Sequence, residues 1–313
     1  MTIALIVLAV LVGVSFGVGG YLFFAACGHH NEINWLDEAE ISRTPYARFY
    51  PHVKESYEWL AANNAQDVYT QSEDGLRLHA TWVPAQNARA TVLLVHGYHS
   101  GIYTDFGLVM KLYHDMGISI LLPDQRGHGR SEGYYTTFGV KESRDMLQWI
   151  HWHNKTAGEC PMFLSGLSMG ASTVMYLSDV PLPENVRFFV VDCGFNSPYD
   201  IIGKVFSSQT HIPAWPFLWA TDLFARFFAG FSLKEKDSVT ILRKNTHPIL
   251  MIHGMADDFV PCDMTRKAFA ASTGDKHLLL VEGAGHGVSY LKAGNTYFNQ
   301  ILALLDKYIP EQR

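Results

Sequence analysis

The sequence has 313 residues, 48% of them hydrophobic and 17% charged, and a formal net charge of −6. Such a chain can bury a sizeable core in one large domain or two small ones. With no basic run, it argues against a nucleic-acid partner, whose phosphates call for clustered Lys and Arg.

From Met1 to Asn31 there is no Asp, Glu, Lys or Arg. The stretch "IALIVLAVLVGVSFGVGGYLFFAAC" exceeds the ~20 apolar residues that cross a bilayer as a helix, so residues 1–27 are expected to anchor the chain in a membrane through residues 3–27. A cleaved signal peptide would want a basic start and a shorter apolar run. "FAAC", ending at Cys27, has only a faint likeness to a lipoprotein cleavage site. Gly13 and Gly17 make one G-x-x-x-G, a spacing that can pack two such helices.

Residues 28–52 read as a polar tether, with Glu32, Asp37, Glu38 and Glu40 close together. From residue 53 a folded domain is expected to run to residue 313. It opens with Val53, Tyr57 and Leu60 at helical spacing. A hairpin signal follows, with Asp74-Gly75 between two extended runs.

Six short apolar runs come next: "TVLLVHG", "ISILLPD", "MFLSG", "FFVVDCG", "PILMIHG" and "HLLLVEG". Strands buried on both faces look like this, and they belong to parallel sheets covered by helices. Helical stretches fall at about 105–116, 138–153, 169–179, 262–272 and 290–308. Alternating strand and helix predicts an α/β, doubly wound, mostly parallel sheet. One segment, about 195–240, breaks the alternation. It is dense in aromatics, among them Phe206, Trp215, Phe217 and Trp219, and its length suggests a functional lid of two or three helices.

The four cysteines, Cys27, Cys160, Cys193 and Cys262, make no C-x-x-C pair. Neither a zinc site nor a redox motif is indicated, and buried free thiols are expected.

Gly166-Leu167-Ser168-Met169-Gly170 fits G-x-S-x-G between a predicted strand and a predicted helix, the context in which this motif lifts a serine out of the backbone. Gly166 and Gly170 leave room for the turn. The helix that starts there aims free N–H groups at a developing oxyanion. A serine hydroxyl needs a base, and ligands in such sheets gather at the carboxyl ends of the strands. Those ends offer His286 in "EGAGHG" and Asp257 or Asp258 in "HGMADDFVP"; Asp192 also ends a strand. The order Ser, Asp, His suits one hydrolase architecture. His286 would take the serine proton, and the aspartate would orient the imidazole. The N–H groups of Tyr98, in "VHGYHSG", and Met169 would form the oxyanion hole. His128, in "RGHGRSEG", reads as a residue that holds a loop together.

On "HGYHSG", "DQRGHGRSEG", "GLSMG", "HGMADDFVP" and "GAGHG", the sequence from about Tyr69 to Tyr308 resembles the α/β-hydrolase superfamily. The likeness is to its serine-hydrolase branch of esterases, monoacylglycerol-lipase-like enzymes and serine-aminopeptidase-like members. The resemblance implies the α/β-hydrolase fold. It places the acid three residues after the glycine of the His-Gly pair, which selects Asp257. It also makes the aromatic segment a cap that shapes an acyl pocket, with Phe206, Trp215, Phe217 and Trp219 as candidate lining. The expectation is a membrane-tethered serine hydrolase that cleaves carboxylic esters through an acyl-enzyme, with no metal and no organic cofactor. A peptidase, amidase or acyltransferase with the same triad is an alternative, as is a binding protein that has lost the chemistry. The segment 201–232 carries Asp222 as its one acid, which leans away from a cap built to hold a free amine.

Overall fold

The computed structural model describes residues 2–28, 37–43, 47 and 50–310. Most of the expected tether therefore lies outside the described residues. The part inside them includes one helical turn, α2 (Glu38–Ile41), capped by the Asp37 carboxylate and holding Ile41 buried.

Eight strands form one sheet: β1 (Gln66–Gln71), β2 (Arg77–Val83), β3 (Ala90–Val95), β4 (Ile118–Pro123), β5 (Met162–Leu167), β6 (Val186–Asp192), β7 (Ile249–Gly254) and β8 (Lys276–Val281). Their order is β1-β2-β4-β3-β5-β6-β7-β8. β1 and β2 make the antiparallel hairpin expected at Asp74-Gly75, where Gly75 takes a φ of +90°. β2 meets β4 antiparallel, and every later pair is parallel. The six apolar runs are β3 to β8, so the doubly wound α/β reading holds. β3, β4, β6 and β7 are buried along their whole length apart from Arg187.

Alternate strand residues serve opposite faces. Val92 and Leu94 of β3 join a core with Phe106 and Met110 of α4 (Ile102–Asp115), Leu60 of α3 (Tyr50–Ala62) and Ile301 and Leu305 near the C-terminus. Leu93 and Val95 join the opposite core with Trp149 and Ile150 of α5 (Glu142–Ala157), Val174 of α6 (Met169–Leu177) and Ala268 of α10 (Cys262–Ala271). Between these faces the chain reverses its direction of winding at the neighbours β3 and β5. The carboxyl ends at such a switch point are where ligands bind.

Two helices differ from expectation. α5 starts at Glu142, four residues late, because Phe138 and Gly139 both have positive φ (54° and 93°). The stretch 290–308 is two helices, α11 (Ser289–Ala293) and α12 (Asn295–Tyr308), broken at Gly294 with φ +52°.

The aromatic segment is inserted between β6 and β7. It holds α7 (Pro198–Thr210), α8 (Trp215–Phe224), a π-helical turn (Ala225–Ala229) and α9 (Ser238–Leu242). The N-terminal helix α1 (Thr2–Cys27) is long and apolar enough to cross a membrane. Its first part is exposed, but Gly19, Gly20, Leu22, Phe23 and Cys27 are buried. A Cβ on Gly19 would come within 2.5 Å of the Ala220 Cβ, so only glycine lets α1 lie this close to α8. A Cβ on Gly13 or Gly17, the G-x-x-x-G pair, would meet nothing within 4 Å outside its own helix among the described residues. The contact of α1 with α8 falls on Gly19 and Gly20 instead.

Candidate active site

Ser168 sits between β5 and α6 with φ 53° and ψ −114°, a conformation that L-residues rarely adopt. Such strain costs on the order of 1–3 kcal/mol and persists only where its surroundings impose it. Here the Ser168 N–H donates to the Asp192 carbonyl on neighbouring β6 at 2.8 Å. The flanking glycines are required by contact. A Cβ on Gly166 would stand 2.3 Å from the Gly170 carbonyl oxygen, and one on Gly170 would stand 1.8 Å from the Val95 oxygen. The start of α6 is therefore pressed against the end of β3.

The loop after β3 is held from several sides. The Gly97 N–H donates to the Asp105 carboxylate at 2.7 Å, and the Gln125 side chain donates to the His96 carbonyl at 2.6 Å. His96 Nε2 accepts the Gln125 N–H, and His128 Nε2 accepts the His99 N–H at 3.2 Å. His128 therefore braces the loop. Tyr98 stacks on Phe138 and shares an apolar cluster with Met169 and Val260. The main-chain segments bearing the Tyr98 and Met169 amides thus lie next to one another at the switch point.

Three side chains far apart in sequence meet there. His286 Nε2 lies 2.9 Å from Ser168 Oγ, and His286 Nδ1 lies 2.7 Å from Asp257 Oδ2. The other Asp257 oxygen accepts the N–H groups of Phe259 and Val260 at 3.0 and 2.9 Å. Burial works against the Asp257 charge, but hydrogen bonds from His253 and His286 outweigh it and hold the carboxyl down at about 2. It is an anion at neutral pH. Asp258 is exposed and Asp192 accepts from Ser289 Oγ at 3.0 Å, so neither takes the place of Asp257 beside His286.

The matching family model is that of serine aminopeptidase, S33, over residues 86–194. An uncharacterized Bacillus subtilis protein, YqkD, is 28% identical over 217 residues, 69% of this chain and 71% of that one. The α/β-hydrolase domain-containing protein WAV2 of Arabidopsis thaliana is 23% identical over 79% of this chain and 80% of its own. An esterase of Pyrococcus furiosus superposes with a TM-score of 0.65 at 20% identity, covering 79% of this chain and 92% of that one. The chain has the α/β-hydrolase fold and is similar to members of that superfamily.

Two further residues support this arrangement: Asp105 escaped sequence reasoning, whereas His253, before a glycine at a strand end, reads in sequence as a loop brace. His253 lies under Asp257: its Nε2 is 3.3 Å from Asp257 Oδ2 and donates to the Val260 carbonyl, while Nδ1 takes the Thr265 hydroxyl at 2.6 Å. Asp105 ties down the loop after β3. The signal for His253 was its place at a strand end, four residues before Asp257.

The cap residues divide. Phe206 and Phe217 meet edge to face at 5.5 Å, and Phe206 packs on the apolar cluster that contains Met169. Trp215 is 72% exposed, and Trp219 lies against Phe16 of α1 at 5.0 Å. Both stand on the outer side of α8, so the expected lining role is corrected for these two. The inward side is taken by Ala214 and Leu218, because a helix turns only one stripe towards its neighbour.

One group of metal-type donors lies near the triad. The ligand atoms of Cys193, Asp257 and His286 fall within 4.8 Å of one another. Burial pushes the Cys193 thiol well up, whereas a metal takes the thiolate, and His286 Nδ1 is spent on Asp257. The set suits a hydrogen-bonded triad better than an ion.

Proposed function

We propose that this α/β-hydrolase is a serine esterase, carried on a membrane by α1. The observation that carries this reading is the unbroken run of contacts from Ser168 Oγ through the His286 ring to the Asp257 carboxylate. An Nδ1–H donated to Asp257 leaves His286 Nε2 as the acceptor for the serine proton. Ser168 Oγ then attacks the ester carbonyl. The oxyanion meets the N–H groups of Tyr98 and Met169, each such donor contributing about 10²–10³ in rate. His286 hands its proton to the leaving alcohol. A water, deprotonated by the same ring, releases the acid from the acyl-enzyme. No metal or organic cofactor is called for.

An ester is favoured over a free-amine peptide by the cap. Asp222 accepts from Ser232 Oγ, the Leu233 N–H and Arg226 Nε, so it has no side free to bind a substrate amine. The structural neighbour from Pyrococcus furiosus is itself named an esterase. The family match to serine aminopeptidase favours a second reading, cleavage of an aminoacyl amide by the same triad. A panel of p-nitrophenyl esters run beside aminoacyl anilides separates them: the esterase reading expects turnover of the esters, and turnover confined to the anilides overturns it.

In domain terms, α1 is the anchor, the segment up to residue 52 the tether, and the remainder one catalytic domain whose cap spans about 195–240. Residues 3–27 are the membrane contact.

A further inference from the structure

α8 and the π-helical turn after it leave one stripe uncovered. Trp215, Trp219, Leu223 and Phe227 follow one another at four-residue steps, and they are 72%, 42%, 46% and 82% exposed. Beside that stripe, the next face of α8 is clamped to α1: Gly19 lies under Ala220 and Gly20 under the Phe224 ring. Phe16 reaches both Trp219 (5.0 Å) and Phe224 (6.3 Å). The bare stripe therefore continues the exposed apolar surface of α1 without a break.

Depth follows from helix length. About 20 residues span the hydrocarbon core, and counted from Thr2 they end near Tyr21. Past that point Leu22, Phe23 and Cys27 are buried in the protein. Phe16 lies five residues before Tyr21, about 8 Å deeper at 1.5 Å per residue. Whatever touches Phe16 shares that depth. Trp and Tyr gather at the interfacial level of a membrane, where Tyr21 stands exposed, and Trp219, against Phe16, is exposed below it. The charges on α8 and its extension, Asp222 and Arg226, are paired with each other at 2.8 Å.

We propose that the outer stripe of α8 lies in the lipid leaflet that holds α1, so that the cap is seated in the membrane surface and the ester substrate enters from the leaflet. This rests on the reading of α1 as an anchor. It deepens the esterase assignment by naming the substrate class as esters of acyl chains held in a bilayer. The occupant is lipid because the stripe is coextensive with a helix that already requires lipid around it. Buried apolar area is what holds such an interfacial helix.

The test uses the full chain reconstituted in phosphatidylcholine vesicles whose acyl chains are brominated near the glycerol end. Bromine quenches tryptophan on contact. The expected result is a quenched component of the emission that the Trp215→Phe, Trp219→Phe double variant lacks. Equal quenching in the two proteins overturns the proposal. A chain that alkaline carbonate strips from the vesicles overturns the anchor along with it. Retention with equal quenching overturns the seating of the cap alone. A second arm reads activity. Leu223→Gln with Phe227→Gln should lower turnover of a vesicle-borne long-chain ester by at least about tenfold, from the apolar burial lost, while p-nitrophenyl acetate turnover stays within about twofold, as for a surface change. Equal loss on both substrates overturns the proposal. So does a detergent-solubilised dimer that this variant converts to monomer with quenching unchanged, since a second copy would then cover the stripe. Failure of the wild type on every ester removes the esterase reading but leaves the fluorescence result standing.

Discussion

The Tyr98 hydroxyl donates to the main-chain carbonyl of Ala26 at 2.7 Å. One partner belongs to the loop that carries a proposed oxyanion amide, and the other to the last turn of α1. One residue on, the Cys27 carbonyl takes the Thr136 N–H at 2.9 Å. The end of the membrane-type helix is thus built into the wall of the site, and its removal should be felt there.

A chain beginning at Gly28 should melt lower than the full chain in the same detergent, because Leu22 and Phe23 each contribute roughly 1.5–3 kcal/mol of apolar burial. Tyr98→Phe removes only the hydroxyl contact, worth about 1 kcal/mol, and should lower kcat without altering membrane retention. The same contacts predict that α1 is not cleaved. Mass mapping of protein extracted from membranes should recover peptides from α1, not a product starting near Cys27.

Gly170→Ala should abolish ester turnover and depress the melting temperature together. The added methyl has no place 1.8 Å from the Val95 oxygen, and the backbone must shift. A fully active, equally stable Gly170→Ala protein would show that the turn is looser than its geometry.

Asp257→Asn should cut kcat by about 10³–10⁴, since an amide there favours the wrong tautomer of His286. Asp258→Asn should change it little, its side chain being exposed. Steady-state kinetics on one soluble ester compares the two directly.

Asp192 gives a pH signature. Burial first, against the hydrogen bond from Ser289, raises its carboxyl from 3.8 to about 6. A carboxyl raised on folding stabilises the native state below its unfolded pKa, and that contribution is lost as pH climbs from about 4 through about 6. Asp192→Asn keeps an acceptor for Ser289 without the charge. Its melting temperature should therefore gain on the wild type between pH 5 and pH 8, by about 1 kcal/mol in stability terms.

Much of this architecture was legible because its signals are local. β3 to β8 are unbroken apolar runs, and Gly166 and Gly170 mark a turn that tolerates no side chain. Asp257 was separable from Asp258 in sequence only through the family resemblance, as both follow the same strand; burial and the N–H groups of Phe259 and Val260 distinguish them physically. The late start of α5 reflects positive φ at Phe138, a bulky residue that gives no such warning. Trp215 and Trp219 read as pocket because aromatic density shows no direction until the helix phase is fixed. The docking of α1 on α8 was hidden for a similar reason: Gly19 and Gly20 match a surface at Ala220 and Phe224, far along the chain.

The central claim is that Ser168 is the nucleophile and His286 its base. Its most direct measurement is peptide mapping after reaction with a fluorophosphonate. A covalent adduct is expected on Ser168 in the wild type, with labelling sharply reduced in His286→Ala and none in Ser168→Ala, which should still fold and should lose ester hydrolysis. An adduct on another residue, or undiminished turnover by the Ser168→Ala protein, would contradict the account.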